Sequence, residues 1–74
     1  MPKPFTSSSE IMLALIEELG EVAQEIALIE RIGTKADWQK SPSKERLAEE
    51  MTHVLNLLYH LADHYGIVLD EREE

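Results

Sequence analysis

The chain has no cysteine, which excludes disulfides and every thiolate-based zinc or redox site. It is also poor in positive charge: seven Lys and Arg stand against fifteen Asp and Glu, for a net charge of −8. Polynucleotide binding draws most of its affinity from Lys and Arg neutralising phosphates, so a nucleic-acid polymer is not an expected partner. An anionic membrane surface is disfavoured for the same reason. No apolar run approaches membrane-spanning length, and the N-terminal MPKPFTSSSE lacks the apolar centre of a signal peptide. A soluble, cytoplasmic protein is the expectation. Serines fall only in capping and connector positions, which gives a Ser/His/Asp triad no sensible geometry. No glycine-rich phosphate loop is present either.

What remains is two amphipathic runs in 74 residues. A chain of this length makes one small domain whose core is marginal alone. With disulfides excluded, self-association is the expected support, aided or not by metal. The pattern divides into an extended arm (1–7), a first helix (8–32), a connector (33–43), a second helix (44–65) and a tail (66–74). Ser7 and Glu10 fit a capping box at the first helix start, with Ser8 and Ser9 as competitors. Gly33 and Gly66 suit the two helix stops. Ser41 before Pro42, or else Ser43, suits the second N-cap. Met12, Leu15, Leu19, Val22, Ile26 and Ile29 alternate steps of three and four, as do Leu47, Met51, Val54, Leu58, Leu61 and Tyr65, so each helix carries one apolar stripe. Gly20, inside the first helix, either admits a close neighbour or is simply tolerated. The expected fold is all-α: an antiparallel two-helix hairpin that assembles as a four-helix-bundle-type oligomer, a homodimer or homotetramer.

Three groups of residues could carry chemistry. Glu18, Glu21 and Glu25 share one face of the first helix, with Glu17 further round. Carboxylates at i and i+3 can share a hard divalent cation, although a solvated face would look the same. Glu50 and His53 form an E-x-x-H pair of the kind that helical bundles aim at metals. Imidazole suits Mn²⁺, Zn²⁺, Ni²⁺ or Fe²⁺ better than Mg²⁺. Asn56 stands one turn beyond. His60 and His64 could join His53 on a transition metal or be a surface pair. Five of the seven basic residues, Arg31, Lys35, Lys40, Lys44 and Arg46, cluster in and around the connector. Lys35, Lys40, Lys44 and Arg46 could meet phosphate there, and Trp38 could stack on a base or cap the core.

The segments LIEELGEVAQEI and RLAEEMTHVLNLLYHLADHYGIVLDE together resemble the MazG-like all-α nucleoside triphosphate pyrophosphohydrolases. That family carries E-x-x-E on one helix and E-x-x-D on the next, holding Mg²⁺ against a triphosphate. Glu18 and Glu21 match the first pair, with Glu17 and Gly20 of the EE-x-GE form. Glu50 matches the first position of the second pair, and Val54 and Leu55 match its flank. His53 stands where the family has Asp. The resemblance implies hydrolysis of a (deoxy)nucleoside triphosphate to monophosphate and pyrophosphate. Glu18, Glu21, Glu50 and His53 would be the catalytic and metal-binding residues. Lys35, Trp38, Lys40 and Asn56 would be the substrate contacts, and the cofactor Mg²⁺, or Mn²⁺ or another transition metal because of His53. The alternative is a weak or inactive member acting as a nucleotide-binding or protein-interaction module.

Overall fold

The computed structural model describes residues 7–33 and 40–69. Residues 1–6 of the expected N-terminal arm, most of the connector and the acidic end of the tail lie outside them. Two helices make up the secondary structure of the described residues, α1 (Ser8–Glu30) and α2 (Lys44–His64).

The capping chemistry places the starts. The Ser7 hydroxyl accepts the Glu10 amide at 3.2 Å, and Ser43 accepts the Arg46 amide at 3.1 Å. Each satisfies a backbone donor that the first turn leaves free. Of the competing serines, Ser43 is the second N-cap. The first helix ends two residues earlier than expected. Arg31 takes the left-handed conformation (φ 54°) directly after the helix, and Gly33 (φ 61°) takes it two residues further on. The amides of Arg31 and Ile32 both return to the Ala27 carbonyl. The Arg31 side chain reaches the Lys40 carbonyl at 3.4 Å, a tether across the connector that accompanies this strained turn. The second helix stops as its glycine suggests: Gly66 is left-handed (φ 67°) and the Ile67 amide closes on Ala62 at 2.8 Å. Beyond it Ile67 and Leu69 line a groove with Leu58, Leu61 and Ala62, while Val68 points to solvent.

The helices pack antiparallel. Glu18 meets His53 and Glu25 meets Arg46, so seven residues forward on α1 correspond to seven residues back on α2. The seam does not follow the middle of the expected stripes. Ile11, Leu15 and Leu28 of α1 are buried, together with Glu25, and Ala62 of α2. Of these only Leu15 belongs to a stripe read from the sequence. Met12, Leu19 and Ile26 remain 41, 50 and 39 % exposed, and Met51 and Leu58 56 and 40 %. The stripe is wide enough for two neighbours, and the hairpin occupies only one edge of it. At about 100° per residue, Met12, Ile16, Leu19 and Ile26 fall on one side of the line through Leu15, Val22 and Ile29. Glu18, Glu21 and Glu25 fall on the other. On α2, Met51, Leu55 and Leu58 lie on one side of Leu47, Val54 and Leu61, and Arg46, Glu50 and His53 on the other. The hairpin therefore has an apolar flank and a polar flank. Leu19, Val22, Met51, Val54, Leu55 and Leu58 line an open groove on the first. No described helix is long and apolar enough to cross a membrane.

Candidate metal centre

Helical spacing assembles the polar flank. Glu18 projects from the middle of α1. Glu50 and His53, three residues apart on α2, project toward it from one turn. His53 Nδ1 lies 3.0 Å from Glu50 Oε1 and 3.3 Å from Glu18 Oε2. Ionised carboxylates only accept hydrogen bonds, so the Nδ1 proton belongs on the ring and is shared between the two oxygens. One ligand atom from each of Glu18, Glu50 and His53 falls within 4.8 Å of the others. The two carboxylates are mostly covered, with side chains 25 % and 19 % exposed, whereas the His53 ring is 52 % exposed. The group is walled by protein on one side and open to solvent on the other.

The electrostatics follow from that crowding. Partial burial, first, and then the Glu21 carboxylate beside it raise the Glu18 pKa above its ordinary value; Glu50 adds to the rise and the contact with His53 opposes it. The hydrogen bond to Glu18 raises the His53 pKa, against the opposing effect of desolvation, and Glu50 adds to it. Negative charge here exceeds what one ring proton answers. Two carboxylate oxygens and one imidazole nitrogen form a donor set that suits a divalent cation of hard to borderline character. The exposed side leaves positions for water or a ligand oxygen.

Of the residues singled out in the sequence, Glu18, Glu50 and His53 come together, with Glu21 exposed at the edge and acting on Glu18. Asn56 is exposed one turn further on α2, and Lys40 is exposed at the connector end. Lys35 and Trp38 lie outside the described residues. His60 and His64 are exposed and form no part of the three-residue group. Arg46, read from the sequence as a phosphate contact, is engaged elsewhere: its Nε binds both oxygens of Glu25, at 3.2 and 3.3 Å. Sequence reasoning missed this pair. The one signal for it is the equal seven-residue offset of Glu25 from Glu18 and of Arg46 from His53. It becomes visible only once the helices are known to run antiparallel in this register.

Compared with known protein families, with curated proteins and with solved structures, the chain matches none.

Proposed function

We propose that this chain is a divalent-metal-dependent nucleoside triphosphate pyrophosphohydrolase of MazG-like type. The observation that carries the reading is the meeting of Glu18 with Glu50 and His53 across the seam. These are the helix positions at which the two sequence motifs would have to converge. Glu18, Glu50 and His53 would hold the cation, with His53 ligating through a deprotonated ring nitrogen. When bound, the metal would supply Lewis acidity and a more acidic water. Glu21, at the exposed edge, would orient an attacking water and take up its proton. The water oxygen would bond to the α-phosphorus as the bond to the α–β bridging oxygen breaks, and pyrophosphate would leave with that electron pair. Mg²⁺ is the expected ion from the resemblance, and the His53 nitrogen favours Mn²⁺ or a related metal. Lys40, exposed at the connector end, would meet the phosphates.

The apolar flank supports a second element of the reading, self-association into a four-helix bundle. Among the described residues four apolar side chains are buried, a small core for two helices of this length. The groove through Leu19, Met51, Leu55 and Leu58 is lined without a charged residue, so a second copy of an otherwise acidic chain can meet it without like-charge repulsion.

A pyrophosphate-release screen over the common nucleoside triphosphates, with Mg²⁺ and Mn²⁺ in parallel, tests the reaction. Release with Mn²⁺ above that with Mg²⁺ is expected. No release from any nucleotide, with release restored by His53→Asp, would instead identify a chain that has lost the activity. The shared His53 proton favours that second reading, a non-catalytic helical oligomer, because it already supplies a counter-charge between the carboxylates. Calorimetry without any heat of Mg²⁺ or Mn²⁺ binding would support it.

A further inference from the structure

Glu25 is the buried charged residue of the described chain, and the proposed reaction does not use it. Arg46 grips both its oxygens through Nε, at 3.2 and 3.3 Å, and donates from a terminal nitrogen to the Ser41 carbonyl. Arg46 is also badly placed by local rules. It is the third residue of α2, where the positive end of the helix dipole favours acids. In the folded chain that unfavourable placement is offset by the contact with Glu25. An ion pair with one partner buried and the other, Arg46, 35 % exposed is a weak source of net stability compared with apolar packing, which points to a role in geometry.

That geometry is the register of α1 against α2. The metal-capable group spans the seam, Glu18 on one helix and Glu50 and His53 on the other, so its spacing changes with any sliding between them. Apolar contact is non-directional and tolerates such sliding. A planar guanidinium held by two carboxylate oxygens and a backbone carbonyl does not. The pair stands two turns along the same polar flank from the Glu18–His53 contact. We propose that Glu25 and Arg46 are positioning residues that fix the helix register and thereby hold Glu18 at ligand-sharing distance from Glu50 and His53. The purpose of this device rests on the metal-site reading; its geometric consequence does not.

The test has a metal-free arm and a metal arm on the full chain. In the first, nuclear Overhauser signals between the His53 ring and the Glu18 methylenes are compared in the wild type, Glu25→Gln, Arg46→Met and Arg46→Lys. In the second, Mn²⁺ affinity is measured by calorimetry. Helicity and sedimentation serve as controls for folding. The expected result is disappearance of the His53–Glu18 signals in Glu25→Gln and Arg46→Met at unchanged helicity. An affinity loss of about tenfold or more, the scale of an outer-shell change, should accompany it. The exchange Glu25→Arg with Arg46→Glu should restore both, since it also agrees with the α2 dipole. Arg46→Lys keeps the charge without the fork and should fall between, which carries the test if Arg46→Met fails to fold. Signals undiminished from the wild type in Glu25→Gln and Arg46→Lys overturn the proposal, as does unchanged Mn²⁺ affinity in variants of a wild type that binds it. If the signals vanish in the variants but the wild type binds no divalent ion, the metal reading is removed and the register device stands.

Discussion

The two flanks of the hairpin come from the same pair of helices and differ in what they leave unsatisfied. On the apolar flank Met12, Leu19, Ile26, Met51 and Leu58 present hydrocarbon that stays exposed among the described residues. Any surface of matching shape would satisfy it, because apolar burial has magnitude but little direction. On the polar flank two contacts cross the seam, Glu18 to His53 and Glu25 to Arg46, and each depends on individual atoms. The apolar flank should therefore tolerate exchange among Leu, Met and Ile while rejecting charge. The polar flank should accept surface changes around it while rejecting the loss of one oxygen or nitrogen.

The sharpest way to break the contrast is a charge on the apolar flank. Leu58 is 40 % exposed in the single hairpin. If solvent is its real neighbour, Leu58→Asp should shift stability by little more than about 0.5 kcal/mol, as surface changes do. If a second copy covers it, the same change buries an unpaired charge. The expected outcome is then loss of the oligomer in sedimentation and a stability loss of about 3 kcal/mol or more in denaturant melts. An unaltered sedimentation coefficient and melt would rule out the bundle.

On the other flank, Glu50→Ala removes a ligand oxygen and one of the two partners of the His53 ring. Divalent affinity measured by calorimetry should fall by roughly 100-fold or more, at the upper end of what even outer-shell changes cause. Sedimentation should stay as in the wild type. A variant that loses both would show that the flanks are coupled rather than independent.

The same division explains how far the sequence could be read. Helix existence and starts were legible because they depend on local chemistry: Ser7 and Ser43 cap, and Gly66 stops, through bonds within a few residues. The end of α1 was not, because Arg31 rather than Gly33 makes the left-handed turn at its last carbonyls, and that turn involves the long-range tether to Lys40. The apolar stripes exist as read, but the seam runs along their edge rather than their middle. Periodicity gives the direction of hydrophobicity but not how many neighbours divide it, so the stripe named Leu19, which is exposed, and left out Leu28, which is buried. In the candidate site Glu18, Glu50 and His53 were legible from i, i+3 spacing and motif. Glu25 and Arg46 were not, since their pairing needs the register between helices.

Gly20 offers a smaller test of what lies outside the hairpin. A Cβ built there meets nothing within 4 Å, and the residue has ordinary helical φ, since the left-handed glycines are Gly33 and Gly66. Close approach of α2 therefore does not explain it. Gly20→Ala should stabilise the protein by about 0.5 to 1 kcal/mol through helix propensity and a less flexible unfolded chain. A loss of stability or of the oligomer would mean that another surface approaches this turn.

The smallest expected effect is a pH dependence that separates the flanks by its sign. Folding raises the His53 pKa above 6.5, chiefly through Glu18, and raises the Glu18 pKa above 4.5, chiefly through burial. In both cases the folded chain holds its proton more tightly than the unfolded one, so stability falls with rising pH wherever the two states differ in protonation. The Glu18 contribution is intact below 4.5 and lost as pH climbs through its raised value. The His53 contribution is intact below 6.5 and lost as pH climbs through its own. Because the His53 ring is more than half exposed, solvent screening keeps the effect small. Metal-free thermal melts should therefore drift downward above pH 6.5, and His53→Gln should flatten that part of the profile. With saturating Mn²⁺ the slope should reverse, because metal competes with the ring proton and gains as pH rises. A profile that stays the same with and without Mn²⁺ would place the cation away from His53, while the apolar flank, holding no titrating group in its groove, contributes to neither slope.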